Sequence, residues 1–371
     1  MRCLRCPPWL FWGKKCSRCS TRYCGPACQA QHWKECGHDK LCKKIKKAGG
    51  AEKYHAGKKY EEAVAVAVEK CAEDTKGQTC YICTEAVHWK TKEGLVRGCS
   101  CRGTAGFAHV SCLAEQAKIL IEESEENNLD MNPRWARWYS CSLCKQYHHG
   151  VVLCALGWAC WKTYLGRPEG DRLRNSAMTV LGEGLSQARQ HEDALSVREA
   201  ELSMGKRLGT SEEDMLLVQS NLAMTYGSLG RFGESLMMEH DVYFAYLKLN
   251  GEEHDDTLKA AGNYAVTLRR SSRYKEVKAL MCKTMPLARR VLGDLHQTTL
   301  MMRSSYAEAL SEDNSMLDDL REAVATLEDT VRIARRVLGS PHPLTVQIEG
   351  QLQKSRAALR ARDTPPPRQG A

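Results

Sequence analysis

Cysteines and histidines are spaced along the first 144 residues in short pairs. Cys3-x2-Cys6, Cys16-x2-Cys19, Cys24-x3-Cys28 and His38-x3-Cys42 make one run, and Cys80-x2-Cys83, Cys99-x-Cys101, His109-x2-Cys112 and Cys141-x2-Cys144 make a second. One to three residues between two donors let a tight turn aim both side chains at one ion, and zinc takes four such donors tetrahedrally. Each run holds eight donors, so the spacing predicts four zinc ions, two per run. Each set of four would be closed, with no position left for water, which makes the sites structural and not hydrolytic. Spacing alone does not say how eight donors divide between two ions.

The elements that must position these donors are small. A segment of about 40 residues cannot bury much core, so metal binding and folding are expected to be inseparable there. Of the 19 cysteines, 18 lie at or before Cys160 and only Cys282 follows, so the remaining chain is expected to rest on an ordinary apolar core. The apolar run 7–12 is six residues long and flanked by cysteines and charges, unlike a secretory leader. A reducing compartment is expected, where paired cysteines serve as thiolate ligands and not as disulfides. The expected location is cytoplasmic, with the nucleus as the alternative. The stretch 151–161 has 11 apolar-rich residues against the roughly 18 needed to span a bilayer, so no membrane span is expected and Cys154 and Cys160 read as buried apolar residues.

Around the first run, Tyr23-Cys24, Cys28-Gln29, His32-Trp33 and His38-x3-Cys42 resemble a MYND zinc finger over about 40 residues. The resemblance implies that Cys3, Cys6, Cys24 and Cys28 share one zinc and Cys16, Cys19, His38 and Cys42 the other. Cys36 falls where the family has no ligand. It also implies docking of short proline-containing peptides, with Gln29 and Trp33 at the groove; the plainer reading is that Trp33 packs a small core.

Residues 1–60 carry 15 Lys or Arg against Glu35, Asp39 and Glu52, which concentrates the basic character of a chain of net charge +9 at one end. Lys43, Lys44, Lys46 and Lys47 form a tight basic run. Such a run serves nuclear import or nucleic-acid binding in some proteins. No base-reading motif or interleaved aromatics accompany it, so a solvated helix face is expected and nucleic acid is not an expected partner.

The second run has one histidine in fifth place among seven cysteines and a one-residue gap at Cys99-Cys101. With Ile82, Gly103, His109-Val110-Ser111-Cys112-Leu113 and Cys141-Ser142-Leu143-Cys144-Lys145 it resembles a RING-CH (RING variant) domain over about 65 residues. The resemblance implies Cys80, Cys83, His109 and Cys112 on one zinc and Cys99, Cys101, Cys141 and Cys144 on the other. It further implies a ubiquitin-protein transferase that forms no covalent intermediate and holds a ubiquitin-charged conjugating enzyme, with Ile82 and Lys145 in contact with it. Two features depart from the family pattern. Gln116 stands where a tryptophan is usual, and the gap from Cys112 to Cys141 is long and holds the acidic stretch 122–126. Trp135 and Trp138 either supply the missing aromatic surface or pack the core.

The C-terminal half repeats at an offset of 42: Asn221-Leu222-Ala223 recurs as Asn263-Tyr264-Ala265, and Arg231-Phe232-x-Glu234 as Arg273-Tyr274-x-Glu276. His254-x2-Thr257, His296-x2-Thr299 and His342-x2-Thr345 follow at offsets of 42 and 46, with a small insertion in 312–317. This period predicts stacked antiparallel helix pairs. The three histidines lie about 40 residues apart on successive repeats and read as linker residues, not as a metal site. The Leu292-Gly293 and Leu338-Gly339 linkers with these signatures resemble the tetratricopeptide repeats of kinesin light chains, which implies a surface for protein partners.

The expected fold is multidomain: two small zinc-stabilised α+β modules followed by an all-α helical solenoid of tetratricopeptide type. The expected boundaries are 1–42 for the MYND-type finger, 43–75 for a basic helical linker, 76–150 for the RING-CH-type finger, 151–361 for the solenoid and 362–371 for a disordered tail. No phosphate loop, SET-type motif or catalytic nucleophile accompanies them. The expected function is a ubiquitin ligase whose repeats and finger recruit substrates; the alternative is a non-catalytic zinc-containing adaptor.

Overall fold

The computed structural model describes residues 14–19, 21–23, 25–35, 37–312 and 316–363. Cys3, Cys6, Cys24, Cys36 and the tail 364–371 lie outside the described residues. The chain forms two compact units: the first takes residues 1–97, 107–138 and 154–181, the second 98–106, 139–153 and 182–371.

The first unit begins with an antiparallel pair, β1 (Lys14–Lys15) and β2 (Arg22–Tyr23). Three helices follow: α1 (Pro26–Lys34), α2 (His38–Lys47) and α3 (Ala51–Cys71). On α2, the buried residues are His38, Cys42 and Ile45, spaced at one helical turn, while Lys43, Lys44, Lys46 and Lys47 are all exposed. The basic run is thus the wet face of an amphipathic helix.

Helix α4 (Val110–Asn127) buries Val110, Leu113, Ala117, Ile121 and Ser124 on one stripe and ends at Asn128 in the left-handed region, φ 51°. The acidic stretch 122–126 is its last two turns, where Glu123 pairs with Arg134 at 3.1 Å and Glu125 with Arg167 at 2.6 Å. A short helix α5 (Asn132–Trp135) and one 3₁₀ turn (Ala136–Trp138) deliver Trp138 into the core, where it is fully buried with Tyr164 edge-on at 5.8 Å. Trp135 lies 5.4 Å from the same ring. Trp138 packs the core, and Trp135 stands half-buried beside it.

Helix α6 (Gly150–Tyr164) covers the apolar stretch and buries Cys154 and Cys160. Its 15 residues span about 22 Å against a hydrocarbon core of about 30 Å. Among the described residues no helix is long and apolar enough to cross a membrane. Strands amount to β1 and β2 and to isolated bridges at Val96–Ala108 and Ser140–Tyr147 among the described residues. The described architecture is helical, and sheets contribute little to the modules expected to be α+β.

After α7 (Arg172–Gln187) and α8 (His191–Leu208), helices alternate in two sets. The first set is α9 (Glu212–Ser228), α11 (Asp255–Arg270), α13 (Gln297–Leu310) and α15 (Pro343–Asp363). The second is α10 (Phe232–Asn250), α12 (Tyr274–Val291) and α14 (Leu317–Val337). Each packs on its chain neighbours, and α9, α11, α13 and α15 also touch in succession. Ala223, Ala265 and Ala307 are fully buried, which lets these helices approach closely. One core runs from α9 to α13 around Val242, Leu258, Ala261, Val277 and Met281, and a second joins α13, α14 and α15 around Leu300, Leu327 and Ile348.

The linker motif has a stepwise physical explanation. Gly293 and Gly339 adopt φ +88° and +89°, and their N–H groups donate back to Ala288 and Ala334, closing the ends of α12 and α14. Three residues on, the histidine starts the next helix: Nδ1 of His254, His296 and His342 accepts the N–H of Asp256, Thr298 and Leu344 at 3.3, 3.2 and 3.2 Å. Thr257, Thr299 and Thr345 are buried beneath. The histidines are helix caps.

Candidate functional site

Three groups of four cysteine and histidine side chains converge, with all donor atoms of each group within 4.8 Å of one another: Cys16, Cys19, His38 and Cys42; Cys80, Cys83, His109 and Cys112; Cys99, Cys101, Cys141 and Cys144. Of the other sequence-predicted ligands, Cys28 is half-buried on α1, and Cys3, Cys6 and Cys24 lie outside the described residues.

The turns that aim these donors are alike. In the second and third groups the N–H of the residue after the knuckle, Thr84 or Lys145, donates to the carbonyl of Cys80 or Cys141 at 2.8 or 3.0 Å. Both residues sit in the left-handed region, φ 65° and 62°. The chain thereby curls around the two sulfurs, and the N–H of Ile82 points at Cys80 Sγ, 3.4 Å away. In the first group the N–H of Cys16 donates to Thr21 at 2.8 Å, and Thr21 Oγ1 stands 3.0 Å from Cys19 Sγ. His38 is fully buried among Tyr23, His32 and Trp33, ring centroids 5.1–5.9 Å apart.

The distances fit a bound zinc ion. Bonds of about 2.3 Å to sulfur and about 2.0–2.1 Å to nitrogen, arranged tetrahedrally, place two sulfurs about 3.8 Å apart and sulfur and nitrogen about 3.6 Å apart. Cys16 and Cys42 sulfurs are 3.8 Å apart, and those of Cys101 and Cys141 3.7 Å. His38 Nε2 lies 3.4 Å from Cys19 Sγ, and His109 Nδ1 lies 3.4 and 3.6 Å from Cys83 and Cys112. A disulfide would bring sulfurs to about 2.05 Å. Gly106, at φ +85°, adds a steric argument, since a Cβ there would come within 2.9 Å of Cys101 Sγ and 3.3 Å of Cys99 Sγ. The three clusters can hold metal ions, and three thiols with one imidazole, or four thiols, are donor sets suited to zinc.

Packed side by side, the thiols of a group shift one another's ionisation in opposite directions. A hydrogen bond from Cys99 draws the Cys141 thiol down to about 4 despite burial, and the same contact together with burial pushes Cys99 well up. Burial would raise Cys16, but hydrogen bonds from His38 and from the backbone of Cys19 and Arg18 outweigh it and bring it to about 6. Burial and its neighbours Cys16 and Cys19 push Cys42 up to about 11. Packed thiols cannot all ionise unless a cation balances them.

Ile82 is half-buried inside its knuckle, Lys145 is exposed just past its own, and Gln116 is half-buried on α4. Gln29 and Trp33 are half-buried one turn apart on α1, and Trp33 packs against the small core around Cys42 and Ile45. Sequence reasoning missed Ser100 and Arg102, which alternate with Cys99 and Cys101 and bond to backbone carbonyls near the end of α14. No local pattern marks a contact more than 230 residues distant in sequence.

A solenoid of repeated helix pairs preceded by clustered cysteines and histidines defines a repeat protein with candidate metal centres. The family model of the tetratricopeptide repeat matches residues 216–256 and 304–344, two segments set 88 residues apart, the sum of the 42- and 46-residue offsets. These segments are tetratricopeptide repeats, a class that binds protein partners. No curated protein matches the chain. Among solved structures, it is similar to a Podosopora anserina kinesin light chain-type protein with nearly identical TPR-like repeats, at 21% identity and TM-score 0.41, covering 53% of this chain and 90% of that one. It is also similar to BtubC (BKLC) from P. vanneervenii, at 13% identity and TM-score 0.38, covering 71% and 94%.

Proposed function

We propose that the chain is a RING-type ubiquitin ligase. Residues 76–150 would form a RING-CH-type zinc module that holds a ubiquitin-charged conjugating enzyme. The solenoid of residues 151–361, of kinesin-light-chain type, and a MYND-type finger at 1–42, joined by the basic helical segment 43–75, would recruit protein substrates. The observation that carries this reading is the alternation of the donor sets along the chain: Cys80 and Cys83, then Cys99 and Cys101, then His109 and Cys112, then Cys141 and Cys144. Each ion would join two donor pairs that are separated in the sequence, so metal binding and folding would be coupled there.

The metal's contribution is structural, because four protein donors leave no open position on a zinc ion. Catalysis then consists of positioning. Ile82 offers its side chain from a backbone fixed against Cys80 Sγ, and Lys145 offers an exposed ammonium from a turn tied to Cys141. Lysine serves as a compact point charge there and lacks the bidentate fork of arginine. Gln29 and Trp33, one turn apart on α1, are the proposed groove for a proline-containing peptide. Four zinc ions are proposed in all, the fourth on Cys3, Cys6, Cys24 and Cys28. Reduced thiolate ligands fit a cytoplasmic or nuclear location.

The test is autoubiquitination by the purified full-length protein against a broad panel of conjugating enzymes, with Ile82→Ala and Cys99→Ser alongside. Transfer that is lost in both variants, while Ile82→Ala keeps its metal, is the expected result. Full transfer by Ile82→Ala would remove the proposed contact. A second reading, a non-catalytic adaptor, is favoured by Gln116 and by the burial of Trp138, which takes away one substitute for the missing aromatic contact. It predicts silence across the panel from fully metal-loaded protein.

A further inference from the structure

The end of α12, the turn after it, α13 and α14 line a half-open cavity of about 350 Å³ within the repeats. Its charged lining is four arginines, Arg289, Arg303, Arg332 and Arg336, against two carboxylates, Asp294 and Asp329. Both carboxylates are already engaged. Asp294 accepts from Arg289 Nε at 2.6 Å, and Asp329 accepts from Arg303 at 2.5 Å and also from Arg332. No lining carboxylate is left for Arg336, which stands one turn beyond Arg332 on α14. Like charges at that spacing repel each other.

Basic residues in the last turns of α12 and α14 also suit the helix dipole, which accounts for some arginines at these ends. It does not account for Arg303. That residue lies mid-helix on α13, its side chain is only 12% exposed, and its fork is held in place by Asp329. A concave wall with two surplus positive charges and a pre-set guanidinium is a receptor for a compact dianion. The volume falls in the range of roughly 300–1,000 Å³ typical of small-ligand sites, and Leu295 and Ile333 supply an apolar wall for a carbon chain.

We propose that this cavity binds a phosphate monoester carried on a serine or threonine of a protein partner. A phosphoryl group of about −1.5 to −2 matches the surplus charge, and arginine forks engage its oxygens in pairs. The site would let the repeats distinguish a phosphorylated partner from its unmodified form.

The test uses the full-length, metal-loaded protein and isothermal titration at roughly physiological salt. The probes are N-acetyl-phosphoserine methylamide, the same compound without phosphate, and inorganic phosphate. Saturable binding of the phosphoserine compound is expected, absent without the phosphate and tighter than for inorganic phosphate. Arg336→Gln should weaken it about tenfold. Arg290→Gln, whose guanidinium pairs with Glu253 outside the cavity, should leave it unchanged. Arg332→Gln provides a second lining variant should Arg336→Gln fold poorly. No saturable binding, or equal loss in Arg290→Gln, would overturn the site; inorganic phosphate binding as tightly as the phosphoserine compound would overturn the protein partner.

Discussion

Ser100 Oγ donates to the backbone carbonyl of Leu338 at 2.6 Å. Arg102 Nη2 reaches the carbonyls of Arg335 and Arg336 at 2.7 and 3.2 Å. The last carbonyls of an α-helix have no partner within the helix, so these two side chains cap the end of α14 from outside. Both are interleaved with donors of the third cluster, Cys99 and Cys101, which makes the order of that cluster a support of the last repeat.

Chelation of the metal should therefore loosen α14 and α15 before the core from α9 to α13. Hydrogen–deuterium exchange of full-length protein, with and without chelator, is expected to rise over residues 335–352 and to stay unchanged around Leu258 and Val277. A uniform response across the repeats would contradict the coupling.

Much of this was legible beforehand at certain residues. The repeated His254, His296 and His342 and the Leu-Gly pairs at Gly293 and Gly339 mark linkers between helices; that the histidines cap and the glycines close helices at φ near +88° emerges only with the backbone geometry. The cysteine and histidine pairs were visible because a chelating turn is local. Burial of Trp138, the meeting of Arg303 with Asp329 across two helices, and the Ser100–Leu338 bond depend on tertiary packing between distant segments. No periodicity encodes them.

Gly293 and Gly350 should respond to alanine with opposite signs. Gly293→Ala should cost about 1 kcal/mol or more, because φ +88° is unfavourable for alanine. Gly350→Ala, inside α15 with open space around it, should stabilise by about 0.5–1 kcal/mol. Urea unfolding monitored by circular dichroism separates them; the same sign in both would refute the local account.

Glu239 is fully buried, and that burial pushes its carboxyl well above the usual range, with Ser220 Oγ at 3.3 Å pulling the other way. The folded chain thus keeps a proton that the unfolded chain releases, so stability falls as pH rises above about 4.5. Glu239→Gln should flatten that slope and raise the melting temperature at neutral pH. A lower melting temperature at neutral pH would show that the carboxylate is needed charged.

His342 behaves in the opposite sense. Burial, with the ring of His149 5.3 Å away, brings it down from 6.5 to about 4, and its neutral Nδ1 accepts the N–H of Leu344. The unfolded chain takes up the proton first, so the stability present above pH 6.5 is lost as pH falls toward about 4. His342→Asn, which keeps an acceptor at the cap, should remove this part of the acid sensitivity in melting curves recorded between those limits. An unchanged profile would place the sensitivity elsewhere.

Metal content bears on the whole account. Native mass spectrometry of the full-length protein should find about four zinc ions, three on the observed clusters and a fourth on the proposed set of Cys3, Cys6, Cys24 and Cys28. Cys99→Ser should lose one, and Gly106→Ala should lose the same one, since its Cβ would press on the Cys101 sulfur. Structural zinc contributes on the order of 10 kcal/mol to such folds, so loss of the ion should also unfold its module. A full complement of zinc in Cys99→Ser, or wild-type protein without zinc and with these cysteines in disulfides, would contradict the proposed metal centres and the ligase reading built on them.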